Sequence, residues 1–261
     1  MKKLLALWLA VILLLGLPGC GDTTDTTLKD LQKTGKLTVA LSPDCSPYIT
    51  QNDDGSFSGI EIDLLSVICD ELGVLLDVQA VKPGEVLPGI ESGKYHLGAG
   101  TLSNQSESGS TVLYTNAYAK APQRLLVKPG TAVPDVQYLA QKVIAVRAGT
   151  YAHSYCLSNI ISVAVYDTYA EAVDAVLEGT ADGLLADEYI ARELMTEHNA
   201  DTTTLALVYD PVATATYAFA MAVGSQVVID RINLALGDLL MDGTMHAIYD
   251  TYGLTYTSPN G

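Results

Sequence analysis

The chain has 261 residues, with 14 lysines and arginines against 30 aspartates and glutamates, and its formal net charge at pH 7 is −16. An acidic balance of this size excludes nucleic acids and anionic membrane surfaces as electrostatic partners. The length is sufficient for one large hydrophobic core or for two lobes.

The N-terminus has the pattern of a secreted lipoprotein. Lys2 and Lys3 precede an apolar run at residues 4–15, which is too short to span a membrane comfortably. The LPGC segment at 17–20 resembles a bacterial lipobox, with Cys20 as the lipidated residue. The alternative is a plain secretory signal whose small residues happen to precede a cysteine.

We therefore predict a signal peptide over residues 1–19 and a tether over 20–34. The mature protein is expected on the extracytoplasmic side, attached to the cell membrane by lipid. Removing the signal takes away two lysines and no acidic residue, which leaves 12 basic and 30 acidic residues and a net charge of −18. No other apolar run reaches the length of about 18 residues that a membrane span needs.

Three cysteines remain after the lipidated one, namely Cys45, Cys69 and Cys156. An odd number outside the cytoplasm allows at most one disulfide and leaves one free thiol. The sequence leaves a Cys45–Cys69 pairing open. Neither the cysteines nor the four histidines have the spacing of metal ligands, so we predict structural roles for them and no metal or cofactor.

From residue 35 onward, apolar strand patterns alternate with helical patterns in two successive units. The first unit is predicted to contain strands 37–41, 75–80 and 95–100 and helices 60–72 and 86–91. The second is predicted to contain strands 124–127, 143–146, 162–166, 183–186, 205–209 and 217–223, and helices 150–158, 168–179, 187 onward, 225–241 and a last one to 252. Two such units in one chain predict two lobes with a cleft between them, where small ligands usually bind.

The segment KVIAVRAGTY at residues 142–151 has the features of an anion site. Its apolar run at 143–146 is typical of a parallel strand buried on both faces. Gly149 allows a sharp turn and Thr150 can cap a helix, so unpaired backbone N–H groups point to one spot. Arg147 adds a permanent charge there. The alternative is an ordinary strand-to-helix turn with a solvated arginine.

Seven segments occur in a characteristic order: GKLTVALSPDCSPY, GSFSGIEIDLLSVICDELG, LPGIESGKYHLGAGTLS, VLYTNAY, KVIAVRAGTY, TADGLLADE and LLMDGTMHAIYDTYG. Together they resemble the polar amino-acid class (family 3) of the bacterial extracellular solute-binding proteins, which serve ABC importers. The resemblance covers about residues 35–254. It implies an α/β fold of the periplasmic-binding-protein-like type II, in which two α/β lobes are joined by two hinge strands. Lobe one would comprise residues 35–118 and 218–261, and lobe two residues 122–212.

The resemblance also implies a set of ligand-binding residues. Asp187 would accept the ligand's ammonium group, although it can equally serve as a helix cap. Tyr151 can equally belong to the core, and we expect Tyr48 to hold its loop against lobe one. The other implied ligand residues are Thr101, Ser103, Arg147, Gly149 and Thr150.

Two features depart from the family pattern. Ser108 stands where the family has an arginine that clamps the ligand's α-carboxylate, and we keep it among the predicted ligand-binding residues. Cys45 and Pro83 align with the family's aromatic ligand shelves. A ligand carboxylate therefore needs another cation, and Arg147 is the best-placed candidate.

The predicted function is a monomeric substrate-binding lipoprotein of an ABC importer, whose partners are a membrane permease and an amino acid or related small polar solute. One alternative is a sensor or partner-presenting lipoprotein that keeps the fold without binding amino acids. Another is a dehydratase-like enzyme with Glu188 or Asp187 as its acid. No histidine, lysine or activated nucleophile lies beside these acids in the sequence, so we predict no enzymatic activity.

Overall fold

The computed structural model describes residues 25–105, 111–200, 202–208 and 210–259. The signal peptide, Cys20 and Ser108 lie outside these residues. The helices, numbered here in chain order, are α1 Thr26–Thr34, α2 Ile60–Leu72, α3 Val86–Glu91, α4 Tyr151–Ser158, α5 Tyr169–Glu178, α6 Glu188–His198, α7 Gln226–Met241 and α8 Thr244–Thr251. Short 3-10 helices occupy Pro83–Glu85 and Val136–Gln141.

The strands are β1 Lys36–Leu41, β2 Thr50–Gln51, β3 Phe57–Ser58, β4 Leu75–Ala80, β5 Leu97–Ala99, β6 Val112–Tyr114, β7 Ala119–Val127, β8 Val143–Arg147, β9 Ser162–Tyr166, β10 Gly183–Asp187, β11 Ala206–Leu207, β12 Ala213–Tyr217 and β13 Ala220–Ala222. Two mixed sheets dominate the structure. The first has the order β4-β1-β5-β13-β6, and the second has the order β11-β7-β10-β8-β9 with β12 paired to β7. The small β2–β3 hairpin stands apart from both.

The first sheet and helices α1, α2, α3, α7 and α8 form lobe one, and the second sheet and helices α4 to α6 form lobe two. In lobe one, β1 pairs in parallel with both β4 and β5. In lobe two, β8 pairs in parallel with β9 and β10. Strand β10 is buried along its whole length and β8 along all but its first residue, which explains their continuous apolar sequences.

Two antiparallel strands, β7 and β12, join the lobes. They pair from Ala119 opposite Tyr217 to Gln123 opposite Ala213. The segment 217–223, predicted as one strand, is divided between the two sheets, because Phe219 leaves the register with β7 and its carbonyl accepts the N–H of Thr115 in lobe one at 2.9 Å. The expected fold of two α/β lobes joined by two strands is confirmed.

Helix α1 lies within the segment that the sequence analysis assigned to the tether. Asp25 caps it by accepting the N–H of Leu28 at 2.8 Å, and the same carboxylate accepts the N–H of Val227 at 2.8 Å in the first turn of α7. Leu31 is buried against lobe one. The sequence TTLKDLQKT has few apolar residues, so its docking depends on long-range contacts that local patterns do not report.

Cys45, Cys69 and Cys156 are all buried free thiols, so the pairing that the sequence left open is not formed. Within the described residues, no helix is long and apolar enough to cross a membrane. The same residues contain no group of three or more His, Cys, Asp or Glu side chains that could hold a metal ion.

A fully buried carboxylate, Glu61, fixes the loop after β5 to the start of β7. It accepts the N–H groups of Gly100 and Thr101, each at 2.7 Å, and the hydroxyl of Tyr118 at 2.6 Å. Thr101 has a φ of 56°, an unfavourable value for a residue with a branched side chain, and the adjacent hydrogen bonds hold it there. Burial raises the pKa of Glu61, and the three hydrogen bonds oppose that rise.

We predict that Glu61→Gln lowers the free energy of unfolding by about 1–3 kcal/mol, because one amide oxygen must replace two carboxylate oxygens and the amide N–H₂ then faces a buried donor. Urea unfolding at neutral pH measures the change. Glu71→Gln, at an exposed position of the same sequence segment, is the matched control and should stay within about 0.5 kcal/mol of the wild type. Equal stabilities of the two variants would contradict the role given to Glu61.

Candidate functional site

The candidate site lies at the carboxyl ends of β8 and β10, where the two lobes meet. Arg147 ends β8 and Asp187 ends the neighbouring parallel strand β10, and both are only 2% exposed. Residues 42–48, which follow β1 in lobe one and are called the β1 loop here, contact both side chains. Two buried charged groups therefore lie at the interface between the lobes, where ligands of open α/β sheets are usually found.

Arg147 makes its contacts with both lobes. Its Nη2 donates a hydrogen bond to the Ser42 hydroxyl of the β1 loop. Its Nε lies 3.5 Å from Oδ2 of Asp44 in the same loop, a distance that gives an ion pair without a hydrogen bond. The guanidinium carbon lies 5.4 Å from the ring centre of Tyr169 in lobe two, a cation–π arrangement. A buried cation is thus matched by groups from the opposite lobe.

The turn after β8 is built as the sequence indicated. Gly149 has a φ of +73°, and a Cβ there would lie 3.3 Å from the carbonyl oxygen of Pro83 in lobe one. Thr150 caps α4 by accepting the N–H of His153 at 3.3 Å, and its hydroxyl donates to the Arg147 carbonyl at 2.8 Å. Tyr151 is half-buried, with its ring centre 6.0 Å from that of Tyr155. The glycine therefore permits close approach of the two lobes at this turn.

Asp187 acts as a helix cap and as an acceptor across the interface. Its Oδ1 accepts the N–H groups of Tyr189 at 2.8 Å and Ile190 at 3.3 Å, and its Oδ2 accepts the hydroxyls of Tyr48 and Tyr217, each at 3.3 Å. Burial raises the pKa of Asp187 to about 7, against the opposing effect of these hydrogen bonds. Tyr48, expected to hold its loop against lobe one, accepts the N–H of Glu61 in that lobe at 3.0 Å through its carbonyl and also extends its hydroxyl to lobe two.

Thr101 and Ser103 lie in the loop after β5, on the lobe-one side. The Thr101 hydroxyl donates to the carbonyl of Gly100 at 2.7 Å, and the Ser103 hydroxyl accepts the N–H of Gln105 at 3.1 Å. A backbone bridge joins Ser103 to Tyr217, whose hydroxyl reaches Asp187. The structure thus brings Arg147 and Asp187 against the β1 loop, places Gly149 next to Pro83 of lobe one, and connects Ser103 to Asp187 through Tyr217.

Two polar side chains of the β1 loop, Ser42 and Asp44, were missed as site residues. Ser42 directly follows Leu41, the last residue of β1, and Asp44 lies three residues after Leu41. The rule that ligands lie beyond the carboxyl ends of strands, applied to lobe one, would have found both. Oδ2 of Asp44 also accepts the N–H of Tyr169, the first residue of α5, at 2.6 Å.

Glu188, one of the two acids considered for an enzyme, is poorly suited to donating a proton. Glu188 is held by Arg124, whose Nε lies 2.8 Å from its carboxylate, and by Arg192, whose Nη2 lies 2.6 Å from it. Burial alone would raise the pKa of Glu188, but these two guanidinium groups lower it below its usual value. A carboxylate that stays ionised is a weak proton donor. The arrangement is suited to binding a charged or polar molecule.

We predict that Asp187 makes stability depend on pH. Its folded-state pKa of about 7 lies above the unfolded value of about 3.9, so its stabilising contribution is complete below about pH 4 and is lost as the pH rises through about 7. The wild type should lose up to about 4 kcal/mol of unfolding free energy relative to Asp187→Asn over that window. Urea unfolding at several pH values measures it. A difference between the two proteins that does not vary with pH would contradict the prediction.

Residues 37–255 match the family of bacterial extracellular solute-binding proteins, family 3. The chain is 26% identical over 269 residues to the ABC transporter glutamine-binding protein of Bacillus subtilis (strain 168), covering 95% of this chain and 96% of that protein. It is 22% identical over 248 residues to the L-cystine-binding protein of Escherichia coli (strain K12), covering 94% of this chain and 92% of that protein.

A solved structure gives the same result for the fold. The substrate-binding protein of an ABC uptake transporter from Streptococcus pneumoniae, with bound histidine, has a TM-score of 0.79 at 20% identity and covers 88% of this chain and 98% of that one. The relatives named here are solute-binding proteins rather than enzymes. Because the family match extends over most of the sequence, the chain belongs to the bacterial extracellular solute-binding proteins, family 3.

Proposed function

We propose that this protein is the amino-acid-binding component of an ABC importer and takes an amino acid or related small polar solute between its lobes. The observation that carries the proposal is the burial of Arg147 and Asp187 on adjacent strand ends at the interface between the lobes. Glutamine, L-cystine and histidine, named for the relatives above, are all amino acids, which supports the same solute class.

Asp187 is the proposed acceptor of the solute's ammonium group. A cation placed beside it would replace the Tyr48 and Tyr217 hydroxyls at Oδ2 and would favour the ionised carboxylate. Since burial holds the pKa of Asp187 near 7, such binding should release protons at neutral pH. The further proposed contacts are Thr101, Ser103, Ser108, Gly149, Thr150 and Tyr151.

Arg147 is the proposed partner for a solute carboxylate, in competition with Asp44. The guanidinium already has that protein carboxylate 3.5 Å from its Nε. A solute carboxylate would therefore have to replace Asp44 or share the site with it.

The proposed closure moves lobe two, residues 122–212, relative to lobe one, residues 35–118 and 218–261. Strands β7 and β12 are the two connections and are the natural hinge. The proposed hinge segments are residues 118–122 and 213–217, which include most of the part of β7 that pairs with β12.

The proposed site of attachment to the membrane is lipid on Cys20, on the extracytoplasmic side, where the permease partner lies. The support is the sequence pattern of a short apolar run followed by LPGC.

We predict that a thermal-shift screen of the mature chain against amino acids, amines and small peptides identifies a stabilising solute that is not consumed. By calorimetry on that solute, Arg147→Ala and Asp187→Ala should each lose at least about tenfold in affinity, because each leaves a buried charge without its partner. Arg231→Ala, at an exposed position of α7, is the matched control and should bind as the wild type. Tryptophan fluorescence cannot report binding, since Trp8 falls within the predicted signal peptide.

The alternatives give different outcomes in the same experiment. If Ser108→Ala loses affinity while Arg147→Ala does not, the carboxylate is held in lobe one. If no compound in the screen raises the unfolding temperature of the protein, the result favours the sensor or partner-presenting protein. Consumption of a compound favours the enzyme.

We predict that Cys20→Ala abolishes lipid attachment. Wild-type cells should incorporate labelled fatty acid into the protein, and cells with the variant should not. Cys69→Ala, which removes a thiol from α2, should be labelled like the wild type. Equal labelling of Cys20→Ala and the wild type would rule out lipid on this residue.

A further inference from the structure

Asp44 brings a carboxylate from lobe one into contact with lobe two. Its Oδ2 accepts the backbone N–H of Tyr169 at 2.6 Å and lies 3.5 Å from Nε of Arg147. Both of these partners belong to lobe two. The Asp44 side chain is 43% exposed, whereas the Arg147 side chain is 2% exposed.

The groups around this carboxylate form an anion site. Tyr169 is the first residue of α5, and its N–H has no acceptor within the helix. The capping box of this helix uses the Thr168 and Glu171 side chains on each other's backbone N–H groups, so it leaves the Tyr169 N–H to an outside acceptor. The positive end of the helix dipole and the Arg147 guanidinium, which lies over the Tyr169 ring, both favour a negative charge at this point.

We infer that Asp44 is a tethered carboxylate ligand of this anion site, and that it selects for solutes that carry a net positive charge. The tether places the protein's own carboxylate where a solute anion would otherwise be held. Because the carboxylate comes from lobe one and its partners from lobe two, it also favours the closed arrangement of the lobes.

The balance of charges supports this selectivity. Asp44 offsets the charge of Arg147. The groups that donate to Asp187, on the neighbouring strand end, are neutral backbone N–H groups and tyrosine hydroxyls. Glu61 is engaged by Gly100, Thr101 and Tyr118 on the lobe-one side. An anionic solute would meet Asp44 and Asp187, whereas an amine or a basic amino acid would be attracted to them. This part of the inference rests on the proposed function.

The first test needs no solute. Asp44→Ala should lower the unfolding temperature by about 3–8 °C, because the Tyr169 N–H and Arg147 lose their acceptor. Sodium acetate should recover at least half of that loss in the variant, whereas sodium chloride at the same ionic strength should not. Asp53→Ala, at an exposed position of lobe one, is the matched control and should show neither effect. An unchanged unfolding temperature in Asp44→Ala, or an equal acetate effect on the wild type, would overturn the tethered carboxylate.

The second test measures selectivity by calorimetry with L-arginine, putrescine and L-glutamate. Asp44→Asn should lower the ratio of arginine affinity to glutamate affinity at least about tenfold, while Asp53→Asn should leave it unchanged. A ratio within about twofold of the wild type would overturn the selectivity even if acetate rescue succeeds. If the wild type binds none of these solutes or the compounds of the wider screen, the proposed function fails, and the acetate experiment still decides whether Asp44 occupies an anion site.

Discussion

The desolvation of one guanidinium constrains how the two lobes fit together. Arg147 is almost entirely removed from water, and a buried cation is tolerated only where acceptors surround it. Lobe two contributes the face of the Tyr169 ring to this cation, while the oxygen partners, Ser42 and Asp44, come from lobe one. The loop that follows β1 must therefore reach across the interface. The close approach of Gly149 to Pro83 is compatible with this contact.

Two buried carboxylates lie on either side of the strands that connect the lobes. Glu61 accepts the hydroxyl of Tyr118 immediately before β7, and Asp187 accepts the hydroxyl of Tyr217 at the end of β12. The N–H of Tyr118 donates to the carbonyl of Tyr217 at 2.8 Å, and their ring centres are 6.4 Å apart. Burial raises the pKa of both carboxylates. A change of charge on either one thus acts directly on the residues from which the hinge strands begin or end.

Much of the secondary structure and part of the site can be predicted from the sequence, and there is a physical reason why the rest cannot. The buried run of β8, the turn at Gly149 and the cap at Thr150 are local features, and each was predicted from its neighbours in the chain. Helix α1 and the separation of β12 from β13 depend on docking partners far away in the sequence. The same holds for Tyr48 and Asp44, since a side chain's neighbours do not indicate which lobe it will contact.

With lipid on Cys20, the docking of α1 would also determine which part of the molecule lies close to the membrane. Asp25 binds the first turn of α7 and lies five residues after Cys20 in the sequence. A chain of that length spans at most about 17 Å. With lipid on Cys20, this short connection would keep lobe one near the bilayer. Opening and closing of the cleft would then move lobe two relative to the membrane, while lobe one stays in place.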